Sequence, residues 1–273
     1  MHIFKRYLWP LWVITSLALS MDAVAGVKGS YWPIWDRSDE NNSVSIDHRP
    51  LDQLLATYVV VNHPSGINRF RYAEVSADDR KKLRQYIARL TRIDPRNYRR
   101  SEQKAYWLNL YNAVMLSSVL RQYPVKSLAL ETIKRKNKIR VAGEKLSLAD
   151  IERRILQPLW RDRRIVFGLS CAAISCPNIQ QQAYTGANTE QLLERSAREF
   201  INHPRAVSLD RKKLHTSGIF QSRKEDFGSD KRMVKFFAHY AEDIKALYLL
   251  GFSGEIAYNF DSRLNAPETS WSP

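Results

Sequence analysis

Two cysteines carry the most chemically informative pattern in this sequence of 273 residues. Cys171 and Cys176 are its only cysteines, and they lie five positions apart in a segment of small residues that ends at Pro177. In an oxidising compartment such a pair forms a disulfide. If a helix instead begins at Pro177 with Cys176 as its N-cap, the positive helix end favours a reactive thiolate. The segment can therefore hold either a structural bond or a nucleophile.

A nucleophilic cysteine also needs a general base and a group that orients this base. Among the six histidines, His215 is the best placed, at the end of a predicted hairpin, and Asp261 or Asp226 could orient its ring. One hypothesis is therefore a thiol-dependent hydrolase or acyltransferase. In this enzyme Cys176 attacks the substrate, His215 removes its proton and Asp261 orients the histidine.

The start of the chain has the three-part pattern of a secretory signal peptide. Lys5 and Arg6 precede an apolar run over 7–20, and small residues follow up to Ala25. This pattern predicts cleavage after Ala25, so that residues 1–25 are removed and the protein is periplasmic or secreted. An uncleaved membrane anchor is the alternative. No later run reaches 18 continuous apolar residues, so we expect no stable membrane insertion after cleavage.

An exported protein meets oxidants, and this favours a second hypothesis, a non-catalytic binding domain with a structural disulfide between Cys171 and Cys176. In this hypothesis Glu152, Asp226 and Asp261 are ion-pair partners of some of the many arginines. The sequence thus leaves two function classes open, of which the binding domain is favoured by the compartment.

The net charge indicates the kind of partner. With 43 Lys and Arg against 28 Asp and Glu, the chain has a formal charge of +15, which favours an anionic envelope component. The densest basic run, 134–140, is typical of a solvated loop or hairpin edge. Nucleic acid is a poor partner for an exported protein, and zinc-finger, KH and RNP patterns are absent from the sequence. The sequence also lacks metal-ligand spacings, a P-loop and a dinucleotide motif, so we expect no metal and no cofactor.

Two asparagines interrupt the most apolar predicted helix, 105–122. Asn109 and Asn112 are three positions apart and share one helix face. A buried amide without partners costs about 1–3 kcal/mol, so each must bind the backbone of a packed loop or a ligand. Pinning of a loop is the favoured interpretation. Ser101 is the expected N-cap of this helix.

Periodicity and capping signals predict an α+β fold: a single helix-rich domain over 48–265 with a few short antiparallel strands and hairpins. We expect a loosely held arm over 26–47 and a disordered tail over 266–273. The other predicted helices cover 50–59, 76–90, 147–158, 189–202 and 229–251, and the predicted strands or hairpins cover 138–144, 165–167, 207–214 and 256–260.

These segments together resemble the domain of unknown function 547 family. The resemblance covers most of the mature chain, and its order and spacing agree with the family pattern. It implies no particular activity, because the family name describes none. The matching segments are 105–113, 146–152, 170–177, 226–227 and 258–265.

The sequence departs from this family pattern at three positions. Members often have a histidine in the strand before the first cysteine, where this sequence has Val166. Gly218 and Arg223 also differ from the usual pattern near Asp226. If the histidine is a general base in relatives, this protein lacks it.

Overall fold

The structure is a computed structural model, and it describes residues 31–210 and 212–267. Short 3-10 turns, at Pro33–Trp35, Tyr72–Glu74 and Pro95–Asn97, precede the first three helices. The helices are, in chain order, α1 (Arg49–Tyr58), α2 (Ala77–Leu90), α3 (Arg100–Gln122), α4 (Leu130–Lys136), α5 (Leu148–Asp150), a π-helical stretch (Ile151–Leu156), α6 (Gln157–Trp160), α7 (Ile165–Gly168), α8 (Thr189–Asn202), α9 (Gly218–Ser222), α10 (Lys224–Phe227), α11 (Asp230–Tyr240) and α12 (Asp243–Gly251).

Short strands form small sheets between these helices. The first two pairs are antiparallel, while β5, β6 and β7 form a three-stranded sheet in which β7 runs parallel to β6. The parallel pairing requires a crossover, which α9–α12 provide. The predicted α+β class is confirmed. The strands are β1 (Val59–Val60), β2 (Arg69–Phe70), β3 (Lys138–Val141), β4 (Glu144–Ser147), β5 (Val207–Asp210), β6 (Lys213–Ser217) and β7 (Glu255–Asn259).

The larger hydrophobic cluster surrounds α3, which is apolar on nearly every side and is therefore buried. Trp35 is 1% exposed and meets Trp107 edge-on, with ring centroids 5.1 Å apart. The backbone N–H of Ile46 donates to Glu102 Oε2 at 3.1 Å. The described part of the predicted loose arm is thus packed on α3. Burial of the apolar surface of Trp35 stabilises this packing.

The second hydrophobic cluster is rich in phenylalanine and lies between α8, α9 and α11. Phe220 is fully buried, with ring centroids 4.5 Å from Phe237 and 5.4 Å from Phe227. Val166 and Phe167 also belong to this cluster, so α7 connects it to the segment that carries the cysteines.

Two predictions near the cysteines are wrong. The run 165–167 is not a strand but part of a single helical turn, and just before this turn Asp162 Oδ1 accepts from the backbone N–H of Arg164 at 2.9 Å. A three-residue apolar run cannot by itself distinguish a buried strand from a buried helix. No helix begins between Pro177 and Thr189, and the carbonyl of Ile179 accepts instead from the Asn68 amide at 2.9 Å.

Two predicted helix boundaries are also wrong. α3 begins at Arg100, whose backbone N–H donates to Glu40 Oε1 at 3.1 Å, so Glu40 rather than Ser101 satisfies the first turn. The predicted helix over 229–251 is divided into α11 and α12. There the Asn202 amide donates to the carbonyl of Tyr240 at 2.9 Å and accepts from the N–H of Glu242 at 2.9 Å.

Among the described residues, no helix has both the length and the apolar character needed to cross a bilayer. The predicted signal peptide, residues 1–25, lies outside the described residues. So does most of the predicted tail, although Ala266 is described and is 4% exposed.

Candidate functional site

The two cysteines form a disulfide in this structure. Their Cα atoms are 5.9 Å apart, a usual separation for such a bond. Cys176 is 2% exposed and Cys171 is 7% exposed, and the small cluster that they form with Ala173 packs against Leu130 and Ile219. Because its sulfur is bonded and no helix begins at Pro177, Cys176 has neither the free thiol nor the helix N-terminus that the nucleophile hypothesis requires.

The loop between the cysteines is held by the C-terminal segment. The N–H of Ile174 donates to the carbonyl of Arg263 at 2.9 Å, and the N–H of Asn265 donates to the carbonyl of Ala172 at 2.9 Å. Ser217 Oγ donates to the carbonyl of Ser175 at 3.0 Å. The loop is therefore fixed by residues far from it in sequence, and the sequence pattern alone did not single out Ser217.

The two asparagines of α3 hold the backbone on either side of this loop. Asn109 donates to the carbonyl of Tyr184 at 2.7 Å and accepts from its N–H at 3.0 Å. Asn112 donates to the carbonyl of Gly168 at 2.9 Å and accepts from the N–H of Ser170 at 2.8 Å. Each amide thus satisfies one backbone donor and one acceptor, which is the chemistry expected of a pinning residue.

A cavity of about 400 Å³ lies beside the disulfide. Most of its wall is apolar, and the rest carries two cations, one carboxylate and hydroxyls. Of the two cysteines, only Cys171 contributes to the lining. The lining residues are Tyr111, Leu128, Ala129, Leu130, Glu131, Thr132, Lys134, Val166, Leu169, Cys171, Gly218, Ile219, Ser222, Arg223 and Phe260.

A buried cluster of charges lies behind the polar part of this cavity. The Glu152 side chain is fully buried and is paired with the Arg223 guanidinium. Glu152 Oε2 also lies 3.3 Å from Lys134 Nζ and accepts from the Tyr111 hydroxyl at 3.3 Å. Arg223 and Lys134 line the cavity, whereas Glu152 does not. The cavity therefore contacts the two cations of this cluster and also Glu131, whose Oε1 lies 3.7 Å from Lys134 Nζ, while Glu152 is hidden.

Asp226 completes the cluster on the side of Arg223. Asp226 Oδ2 lies 3.5 Å from Arg223 Nη1. Burial raises the pKa of the Asp226 carboxyl above its usual range, an effect that the charge of Arg223 opposes. Asp226 and Glu152 are thus both ion-pair partners of one buried arginine.

The predicted base and its orienting group are not assembled into a catalytic triad. His215 Nδ1 lies 3.4 Å from the Asn259 amide. Asp261 instead accepts hydrogen bonds from Arg263, and these hold the pKa of its carboxyl below its usual range. Within the described residues, no hydrogen bond joins His215, Asp261 and Cys176.

Lys134 is the site residue that the sequence pattern placed in the wrong environment. It belongs to the basic run 134–140, predicted as solvated, but its side chain is only 13% exposed. α4 carries it inward, next to Ile133, which is 4% exposed. An apolar neighbour at the start of the run was the signal that could have indicated burial. In the described ranges, 31–210 and 212–267, no group of three or more His, Cys, Asp or Glu could hold a metal ion.

Comparison with known proteins identifies one part of the chain. Neither a curated protein nor a solved structure matches it. The family model described as "Protein of unknown function, DUF547" matches residues 95–201, which include α3, α4, the buried Glu152 and both cysteines. This part of the chain is therefore a domain of the DUF547 family.

Proposed function

We propose that this protein is an exported binding domain whose cavity takes a small amphiphilic carboxylate, a molecule with an apolar body and one anionic end. The observation that carries the proposal is the arrangement of charge around the cavity. Lys134 and Arg223 line it, and the Glu152 carboxylate between them is fully buried behind them. Glu131 also lines the cavity, so its lining side chains carry a net positive charge of one.

The rest of the wall fits an apolar ligand body. Leu128, Val166, Leu169, Ile219 and Phe260 all line the cavity. A volume of about 400 Å³ lies in the range of pockets that enclose small molecules. Since pockets of this kind bind through apolar area and orient the ligand through a few polar groups, the two cations would select the acidic end.

The departures from the family pattern support a role of this cavity in ligand choice. Val166, Gly218 and Arg223 are the three positions at which the sequence differs from that pattern, and all three line the cavity. Val166 replaces a titratable ring by apolar surface. Arg223 places a cation in the lining, where the carboxylate of a ligand would lie.

The disulfide supports the exported part of the proposal, because such bonds persist in oxidising compartments. Intact-mass analysis of protein isolated from the producing cell should give Gly26 as the first residue. Recovery of the uncleaved chain in the membrane fraction would contradict this expectation.

Ligand binding is tested with two probes that differ only at the polar end. Decanoate should bind, and decanol should bind at least about tenfold more weakly, because one charge-assisted hydrogen bond contributes about 1.5–3 kcal/mol. Lys134→Met should weaken decanoate binding by a similar factor in isothermal titration calorimetry. Lys138→Met, which removes a side chain that is 43% exposed, is the matched control and should leave binding unchanged.

Equal binding of decanoate and decanol would contradict the proposed ligand class. Equal effects of Lys134→Met and Lys138→Met would place the binding site outside the cavity. Unfolding curves of both variants identify any loss of binding that comes from a loss of fold.

A further inference from the structure

α12 presents an apolar face to solvent, whereas a surface helix usually presents charged and polar side chains there. Ile244 is 82% exposed, Leu247 71%, Leu250 66% and Tyr248 39%. These residues make up nearly half of the large hydrophobic side chains that are exposed in the described part of the chain. Single exposed apolar side chains are normal, but a contiguous group marks a surface that binds something.

The opposite side of α12 is fixed to the protein. Leu249 is 1% exposed in the phenylalanine-rich cluster, and Lys245 Nζ donates to the carbonyl of Ile201 at 2.7 Å. At 100° per residue these two positions fall on the half of the helix opposite to Ile244, Leu247 and Leu250. The outer face is therefore held rigidly outward and cannot turn into the core.

Exposed charged side chains of both signs lie near α12. Lys212, in the turn between β5 and β6, and Lys213, the first residue of β6, are exposed, and the Lys212 carbonyl lies against Gly254 just beyond the C-terminal end of α12. Lys213 Nζ lies 3.1 Å from Glu255 Oε2. Lys231 and Lys235 are exposed on α11, which packs along α12. Glu242 and Asp243 are exposed acids at the N-terminal end of the helix.

We propose that the outer face of α12 docks on an anionic phospholipid surface, with the helix lying in the plane of the interface. Apolar side chains on one helix face with nearby cations are the chemistry of interfacial helices, whose binding adds buried apolar area to attraction by acidic headgroups. A second copy of the chain is disfavoured as the occupant because two proteins of charge +15 repel each other. The proposal is independent of the ligand cavity.

Co-sedimentation of the full chain with vesicles tests this docking. Binding to vesicles of phosphatidylglycerol and phosphatidylcholine should be at least tenfold tighter than to phosphatidylcholine alone, and it should weaken in 1 M salt. Leu247→Ser/Leu250→Ser should reduce binding at least tenfold without changing the unfolding curve, since both side chains are already exposed. Val44→Ser/Val61→Ser is the matched control, because these valines are 58% and 40% exposed elsewhere.

Three results would overturn the proposal. The first is equal binding of the Leu247→Ser/Leu250→Ser and control variants, as an apolar N-terminal segment would produce. The second is equal binding to neutral and anionic vesicles. The third is a dimer in sedimentation velocity, without vesicles, that is lost in Leu247→Ser/Leu250→Ser, which would make a second copy the occupant.

Discussion

The cavity has two walls that come from different parts of the chain. One wall belongs to the part that matches the family, 95–201, and includes Lys134 and Cys171. The other comes from beyond the match, from α9 with the adjoining Arg223 and from Phe260 at the end of β7. Most of the first wall comes from 128–134, at the start of α4, and Tyr111 of the long helix α3 also contributes, whereas α9 has only five residues.

The charges of the two walls are not balanced separately. Arg223 of the second wall is paired with Glu152, which lies behind the first wall within the family segment, and both side chains are buried. Without the second wall, Glu152 would keep only Lys134 and the Tyr111 hydroxyl as partners. The family segment and the C-terminal part therefore depend on each other for the pairing of their buried charges, although the paired residues are far apart in the sequence.

Removal of Arg223 tests this coupling and should have the largest effect. Arg223→Met leaves Glu152 buried beside a single cation, and breaking a buried pair in this way costs about 3–5 kcal/mol. Urea unfolding should show this loss in the free energy of unfolding. Arg263→Met is the control, because that side chain is 76% exposed and its pair with Asp261 should contribute about 1 kcal/mol or less.

The double variant Arg223→Met/Glu152→Leu sharpens the test. If the cost of the single change comes from the stranded carboxylate, the double variant should recover a large part of it. A loss below about 1 kcal/mol for Arg223→Met would show that the two walls are not coupled through this pair.

Asn112 connects the first wall to the cysteine loop and should have the next largest effect. Asn112→Leu strands the carbonyl of Gly168 and the N–H of Ser170, at about 1–3 kcal/mol for each buried group. The thermal midpoint should therefore fall by several degrees. Asn41→Leu, at an exposed position, should leave it nearly unchanged. An unchanged midpoint for Asn112→Leu together with lost decanoate binding would mean that the amide serves a ligand.

The disulfide closes a short loop, and its contribution should be smaller. Protein alkylated in denaturant without reductant should take up no label, and after reduction it should take up two. The variant Cys171→Ser/Cys176→Ser should lose about 2 kcal/mol, as expected for a loop of six residues. Rapid labelling of Cys176 in the native protein would instead restore the nucleophile hypothesis.

The smallest effect concerns pH and belongs to the α3-centred core, away from both walls. His48 is 4% exposed, its Nδ1 lies 2.7 Å from the Tyr86 hydroxyl, and burial lowers its pKa to about 4. The unfolded chain protonates histidine near pH 6.5, so below that pH it binds more protons than the folded protein. Stability should fall by roughly 1–2 kcal/mol between pH 7 and pH 5.

His48→Gln should flatten this dependence, whereas the exposed His239 should not matter. Unfolding curves of His48→Gln and His239→Gln at pH 7 and pH 5 measure the difference. An unaltered slope for His48→Gln would assign the acid sensitivity to other groups, such as the charge cluster between the walls.

Local signals in the sequence predicted elements where they act without distant partners. The apolar stripe of α8 predicted Thr189–Asn202 at its observed bounds. Ser76 caps α2, which starts where the helix over 76–90 was predicted, and Ser147 with Asp150 forms a capping box at the start of α5. A cap depends on a side chain that satisfies a backbone group within four residues, and an apolar stripe depends on the spacing of residues within one helix. Both can therefore be found from the sequence.

Distant partners decided the features that the sequence pattern missed. The Asn202 amide divides the predicted helix over 229–251, and Glu40 replaces Ser101 at the start of α3. In both places a side chain from another segment competes for the same backbone groups. A pattern of nearby residues contains no information about that competitor.

The sequence by itself determined the helix-rich α+β class, the pairing of Cys171 with Cys176 as one of two alternatives, and the need of Asn109 and Asn112 for partners. Periodicity, capping and the cost of burying an amide are local properties of the chain. Only the tertiary structure decided that Lys134 and Arg223 share a cavity and that Glu152 lies hidden between them. The fold brings these charges together over about 90 positions of sequence. The free energy of a charged group depends on the charges and the solvent near it in space, and the sequence pattern does not contain these distances.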